Sequence, residues 1–274
     1  MQTSGPFSEI DVTTGRRTQI MGVVNVTPDS FSGDGVSSNS TTAAVSAARQ
    51  VADGADMIDV GGESTRPGAT PVSEQEELRR VLPAVAAIVA SIAKPVSVDT
   101  TKPSVAERSL QLGAAYINDV SGSLDPELAS IAARAGAGMI LVHHGLPDPG
   151  TDLLSFVRSG LVGQVTMAVA AGVPVEQLYV DPGFGIGKTW RANLELIRRL
   201  DELRVIGVPL LVGVSRKGMI GRVLGVPLDD RLEGTAALIS LCIVRGASAV
   251  RVHDVRYMSR VVLMTDALME DGTP

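Results

Sequence analysis

The sequence predicts an α/β protein, a (β/α)8 TIM barrel in a single domain, and three observations lead there. Eight short apolar runs recur along the chain, most are separated by a segment of helical period, and each run is followed by polar or charged residues. A barrel of this kind gathers the carboxyl ends of all eight strands on one face. Polar residues scattered through the sequence are therefore expected to converge there.

The first run is Gln19–Val24, followed by Asn25. Asp56–Val60 leads to Glu63 and Arg66, Pro95–Val98 to Asp99, and Ala115–Ile117 to Asn118 and Asp119. In the second half, Gly138–Val142 precedes His143 and His144, and Gln177–Val180 precedes Asp181. Pro209–Val212 leads to Ser215, Arg216 and Lys217, and Ser248–Val252 to His253 and Asp254. The runs are rich in Val, Ile and Leu without strict alternation, which reads as parallel strands buried on both faces. Between them, Ser73 to Ala93 opens with Ser73 and Glu76 in capping-box spacing and carries Leu78, Val81, Leu82, Val85, Ile88, Val89 and Ile92 on one stripe. Pro83 predicts a kink or a later helix start within it. Lys102 to Leu112 reads as a short helix, and Leu232 to Arg245 as another that Gly246 stops.

Composition agrees with one core. The chain has 274 residues, 45% hydrophobic and 3% aromatic, so aliphatic side chains must fill the interior. Residues 1–17 read as an N-terminal arm, disordered or forming a hairpin under the barrel, and 18–274 as the barrel itself. A net charge of −6, with no Lys/Arg run longer than two residues, argues against a nucleic-acid surface. The arm lacks the apolar core of a secretory signal. The longest apolar stretch, Ala84–Ala93, has ten residues, too few for a bilayer span of roughly 20. No membrane partner is expected. The single cysteine, Cys242, reads as a core residue in a reducing compartment, which points to the cytoplasm.

Three polar groupings carry the chemistry. Asp181-Pro-Gly-Phe-Gly-Ile-Gly-Lys188-Thr189 invites a nucleotide-loop reading, but Pro182 and Lys188 occupy positions where phosphate and dinucleotide loops need glycine. The segment reads instead as a loop whose backbone approaches a ligand. Asp99, Asn118 and Asp181 together suit the edge of an aminopyrimidinone ring, with carboxylates accepting from ring donors beside an amide that can donate and accept. Each alone could be a capping or turn residue; their coincidence carries the reading. Arg66, Arg251 and His253, with the Asn25 amide and Lys217, suit a phosphate or pyrophosphate. His143-His144 lacks the further ligands of a zinc site, so a metal here would be Mg2+ held through oxygen, with Asn25 and a substrate pyrophosphate as ligands.

Seven segments in order carry a resemblance. They are Met21-Gly-Val-Val-Asn25-Val-Thr-Pro-Asp-Ser-Phe31-Ser, Asp59-Val-Gly-Gly-Glu63-Ser-Thr-Arg66-Pro-Gly, Ser97-Val-Asp99-Thr, Ile117-Asn118-Asp119-Val, Asp181-Pro-Gly-Phe-Gly, Gly213-Val-Ser215-Arg-Lys217 and Arg251-Val-His253-Asp254. From about Gln19 to Val262 the chain closely resembles the dihydropteroate synthase family. The resemblance implies a (β/α)8 barrel, a homodimer, and the condensation of a dihydropterin pyrophosphate with p-aminobenzoate. It also implies that Asp99, Asn118, Asp181 and Lys217 hold the pterin, and that Asn25, Thr65, Arg66, Arg251 and His253 hold the pyrophosphate, with Asn25 also on Mg2+. Phe31, Pro67, Ile186, Ser215 and Lys217 would then surround p-aminobenzoate, which sulfonamides imitate. Asp99, Asp181, Lys217, Arg251 and His253 are its expected catalytic set.

Three departures from the family pattern stand out. The first loop reads Ser32-Gly33-Asp34-Gly35, with the acid one place late. Val142 stands where a Met is frequent before the histidine, and Ile186 where many relatives carry Phe. Two other readings share part of this set. A methyltransferase acting on a methylated folate would keep Asp99, Asn118 and Asp181 without needing Arg66, Arg251 and His253. A non-catalytic pterin-binding paralogue would draw on the altered first loop.

Overall fold

The computed structural model describes residues 17–27, 40–63 and 71–269. Eight parallel strands close into a barrel in sequence order. They are β1 (Gln19–Asn25), β2 (Met57–Gly61), β3 (Val96–Asp99), β4 (Tyr116–Asp119), β5 (Gly138–Val142), β6 (Leu178–Asp181), β7 (Leu210–Val212) and β8 (Ala247–Val252). Helices α1 (Ser40–Ala52), α2 (Glu74–Ser91), α3 (Pro103–Gln111), α4 (Pro126–Ala135), α5 (Leu153–Ala170) and α6 (Trp190–Arg198) follow the first six strands. Two helices, α7 (Gly218–Leu224) and α8 (Leu232–Val244), lie between β7 and β8, and α9 (Val255–Met269) follows β8. This is the predicted (β/α)8 architecture.

Several polar residues expected after the strands belong to them. Asn25 pairs in register with Gly61, Gly61 with Asp99, and Asp99 with Asn118. The backbone ladder is indifferent to side-chain polarity, so pairing continues past the last apolar residue. The strands also alternate after all. Met21, Met57, Tyr116, Ile140, Val142, Tyr179, Leu211 and Ala249 form a small cluster, while Ile58, Val60, Val98, Ile117 and Val180 join the larger core beneath the helices. A period of two separates barrel-facing from helix-facing positions. The small cluster fills the barrel interior, where Tyr116 and Tyr179 meet edge to face at 6.3 Å and the Tyr179 hydroxyl donates to Gln19 Oε1 at 2.5 Å. It floors the polar level above it.

Helix α2 begins at the Ser73 cap, where the hydroxyl accepts the Glu76 N–H at 3.3 Å, and it continues through Pro83 to Ser91. The later start anticipated at the proline does not occur, because the cap and the buried Glu77 and Val81 fix the turns ahead of it. The other half of the expected capping box gives way to ion pairing: both Arg79 and Arg80 approach the Glu76 carboxylate at 2.7 Å. Helix α8 ends as expected, with Gly246 just past its cap at φ +94°.

Helix α5 has 18 residues of mean hydropathy 1.4, long and apolar enough by that measure to cross a bilayer. The longest uninterrupted apolar stretch did not reveal it, because Arg158 and Gln164 break the run. A third of the helix is buried, with Leu153, Leu154, Val157, Leu161 and Ala168 packed against the barrel, while Val162, Met167 and Val169 are exposed. At the chain's start, the Thr18 N–H and hydroxyl both donate to the Asp266 carboxylate on α9, at 2.8 and 2.6 Å. The barrel is thus anchored from residue 18; of the arm anticipated before it, residues 1–16 lie outside the described residues and Arg17 pairs with Asp56 at 3.0 Å.

Candidate active site

Barrel-facing positions at the carboxyl ends of the strands are polar. Asp59 and Asp99 come from β2 and β3, Asn118 from β4, Asp181 from β6, and Arg251 from β8. Asp99, Asn118 and Asp181 are all buried. Burial first, then the negative charge of Asp59, pushes the Asp99 carboxyl up to about 7 against the pull of Arg251. Burial likewise raises Asp181, opposed by the Gly183 N–H, which donates to its Oδ1 at 2.7 Å. The Lys217 ammonium is brought down to about 8 by burial and by Arg251, against the pull of Asp181 and Asp99. Two carboxyls and an amine with displaced pKa values around one mouth mark a functional site.

The loop after β6 is built from within. Lys188 donates to the carbonyls of His143 at 3.0 Å, Gly183 at 3.2 Å and Ile186 at 3.3 Å. The lysine that invited a nucleotide reading thus ties its own loop to the end of β5. Gly183, at φ +74°, has no room for a side chain because a Cβ there would collide with the His143 carbonyl. Gly185, at φ +71°, lies against the Lys217 stem and gives its N–H to Asn193 Oδ1 at 2.9 Å. Ile186 is thereby set over the mouth, packed on the barrel-interior cluster. His143 is buried edge-on to the Phe156 ring at 4.9 Å, and burial lowers its pKa to about 4. It is a neutral packing residue, as expected of a histidine outside a zinc set.

The ends of β7 and β8 are joined side chain to side chain. Ser215 Oγ lies 3.1 Å from His253 Nδ1 and accepts the His253 N–H at 3.3 Å. Between Ser215 and Lys217, Arg216 adopts φ 56°, a left-handed conformation rare for a long side chain. Its guanidinium grips Asp254 through two bonds of 2.9 and 2.6 Å, and its N–H donates to Thr235 Oγ1 at 3.1 Å. The structure therefore separates three neighbours in sequence: Ser215 and Lys217 face the mouth, and Arg216 bolts their loop to α8 and α9.

Arg251 is held more tightly than an anion clamp requires. It pairs with Asp59 at 2.6 Å and Asp99 at 3.1 Å, and Asp59 also accepts from Asn118 Nδ2 at 3.1 Å. Asp59 is the residue that sequence reasoning missed. It lies inside an apolar run and passes for part of it; the available signal was that it shares a barrel-facing register with Met57 and Gly61. Sequence reasoning also missed Lys102, which joins Glu63 Oε2 at 2.6 Å to the buried Glu77. Phe31, Thr65, Arg66 and Pro67, and the shifted acid Asp34, lie outside the described residues. Asn25 ends β1 beside Gly61, where an added Cβ would sit 3.6 Å from both Asn25 Oδ1 and Asp99 Cβ.

Comparison with known proteins places this arrangement. The model of the family described as pterin binding enzyme matches residues 21–253. The dihydropteroate synthase of Bacillus subtilis (strain 168) is 43% identical over 257 residues, covering 93% of this chain and 90% of its own. Among solved structures, the dihydropteroate synthase of Clostridium difficile, determined in the presence of pteroic acid, is 43% identical with a TM-score of 0.88, covering 93% of this chain and 98% of that one. That of Xanthomonas albilineans, with 4-aminobenzoic acid, is 39% identical with a TM-score of 0.86, covering 94% and 96%. The chain belongs to the dihydropteroate synthase family of pterin-binding enzymes.

Proposed function

We propose that this protein is a dihydropteroate synthase, a transferase that condenses 6-hydroxymethyl-7,8-dihydropterin pyrophosphate with p-aminobenzoate to give 7,8-dihydropteroate and pyrophosphate. The observation that carries the reading is the convergence of Asp99, Asn118, Asp181, Lys217 and Arg251 on one barrel mouth, in a chain 43% identical to such enzymes.

In this reading Asp99, Asn118 and Asp181 accept the ring donors of the pterin, and Lys217 meets its carbonyl edge. His253 and Arg251, with Thr65 and Arg66 from the preceding loop, face the pyrophosphate. The bond between the pterin methylene carbon and the pyrophosphate oxygen breaks, its electron pair leaving with the pyrophosphate. The aryl amine then forms the new carbon–nitrogen bond and gives up a proton. No protein nucleophile takes part, so the side chains act by positioning and by charge. Asp99 and Asp181 lie beside the ring that carries the developing positive charge. Phe31, Pro67, Ile186 and Ser215 surround p-aminobenzoate, with Ser215 and Arg66 towards its carboxylate.

The donor set fits Mg2+. Asn25 offers an amide oxygen beside Gly61 and the Asp99 carboxyl, and no group of three His, Cys, Asp or Glu side chains forms a cage among the described residues. Mg2+ commonly takes one or two protein oxygens and completes its shell with water and phosphate. When bound it would supply positive charge to the departing pyrophosphate.

The reading includes a homodimer in the cytoplasm. Val223 and Leu224 on α7 and Leu241 and Val244 on α8 leave apolar surface exposed on neighbouring helices, a face suited to a second copy. Cys242, buried and free, agrees with a reducing compartment. Incubating purified protein with both substrates and Mg2+ tests the function: dihydropteroate and pyrophosphate should accumulate together. Pterin binding without product would favour a non-catalytic paralogue.

A further inference from the structure

Asp59 is a fully buried carboxylate in the middle of a strand. One of its oxygens, Oδ2, accepts hydrogen bonds from Arg251 Nε at 2.7 Å and Asn118 Nδ2 at 3.1 Å, and Arg251 Nη2 stands 2.6 Å from it as an ion pair. A second carboxylate, Asp99, takes Arg251 Nη2 at 3.1 Å. A buried carboxylate is costly to keep and stabilises little when an apolar residue could replace the pair. Its place here calls for a different account.

Two geometric consequences supply one. Two hydrogen bonds of one guanidinium, from Nε to Asp59 and from Nη2 to Asp99, fix the plane of Arg251, and neither carboxylate engages its Nη1 among the described residues. The Asn118 amide can present only its nitrogen to Asp59, since its oxygen there would face another oxygen. Asn118 Oδ1 is therefore turned away, buried and without a protein partner among the described residues. Asp59 Oδ1 is likewise buried without a protein partner among the described residues, so both acceptors are open to a ligand or a water molecule at this level of the barrel.

We infer that Asp59 is a positioning residue of this site, holding the Arg251 guanidinium and the Asn118 amide in one mutual orientation. Through Arg251 it orients the group that meets the pyrophosphate; through Asn118 it decides which atom meets the pterin. The identity of those ligands rests on the proposed synthase function, while the positioning itself does not.

A double-mutant cycle tests the inference, with affinity for 6-hydroxymethyl-7,8-dihydropterin pyrophosphate measured by calorimetry on the full chain without p-aminobenzoate. Asp59→Asn is expected to weaken binding about tenfold or more, and by only a few-fold when Arg251→Ala is already present, because residues in one network do not act additively. Equal losses in both backgrounds would overturn the inference and leave Asp59 a residue of the core. Should Asp59→Asn not fold, Arg251→Lys serves: a single ammonium cannot reproduce the planar grip, so binding should fall about as far as in Arg251→Ala. Wild-type affinity in Arg251→Lys would overturn the proposal. A ligand-free reading separates its failure from that of the synthase assignment. The Arg251 Nε–H proton should exchange slowly with solvent in the wild type, and fast exchange there contradicts the positioning role whatever the enzyme turns over.

Discussion

Lys102, at the start of α3, hydrogen-bonds the carboxylate of Glu77, which is fully buried on α2, and with the same ammonium reaches Glu63 Oε2 at 2.6 Å. Arg80 Nη1, one turn along α2, donates to the Gly62 carbonyl at 3.0 Å. Two cations thus tie the end of β2 to the neighbouring helices, at the point where the chain leaves toward Thr65, Arg66 and Pro67. The anchor is electrostatic and mostly buried, so breaking one side of it exposes the other.

Lys102→Ala is expected to destabilise the protein by about 3–5 kcal/mol, because it leaves Glu77 buried and uncompensated. Replacing both partners, Lys102→Met with Glu77→Leu, should recover most of that loss. Urea unfolding checks both. A single-mutant loss below about 1 kcal/mol would mean that Glu77 finds another partner or takes up a proton at little cost.

Lys217 is expected to set an alkaline limit on activity. Burial and the Arg251 charge lower its pKa to about 8, so it is a cation below that pH and loses its charge as the pH rises through it. If Lys217 binds the pterin as a cation, kcat/KM for the dihydropterin substrate falls above about 8, and that limb reports the free enzyme. Lys217→Arg, which stays charged, should move the limb to higher pH while lowering the plateau. A limb unmoved by this substitution would assign it to another group.

Much of this architecture was legible because each strand is a short aliphatic run and most mouth residues follow one. Asp99, Asn118, Asp181 and His253 could be found by walking to the end of a run. Asp59 could not, since it sits inside one, and only the period of two worked out strand by strand sets it beside Arg251. Lys102 was hidden for a different reason: its partners Glu63 and Glu77 come from separate elements, and nothing local links them. Lys188 suggested phosphate by its neighbours in sequence, whereas three backbone carbonyls fix its role. The later start read at Pro83 does not occur, because the Ser73 cap has already begun the helix.

Ile186, packed on the barrel-interior cluster, offers a test of discrimination at the proposed p-aminobenzoate pocket. Ile186→Phe restores an aromatic wall, whose ring contacts typically contribute about 0.5–1.5 kcal/mol beyond burial. A sulfonamide with its larger ring system should gain more than the substrate. Inhibition kinetics are expected to show a sulfonamide inhibition constant that falls by a larger factor than the Michaelis constant for p-aminobenzoate. Equal factors would reduce Ile186 to a packing variant.

The pterin cradle is the centre of the account, and calorimetric titration of wild type and Asp181→Asn with 6-hydroxymethyl-7,8-dihydropterin tests it most directly. Asparagine keeps the shape and removes the acceptor charge, leaving buried ring donors poorly met at a cost of about 1–3 kcal/mol. The wild type should bind, and Asp181→Asn should bind about tenfold or more weakly while melting at a similar temperature. Unchanged affinity in a folded Asp181→Asn protein would contradict the placement of the pterin at the barrel mouth.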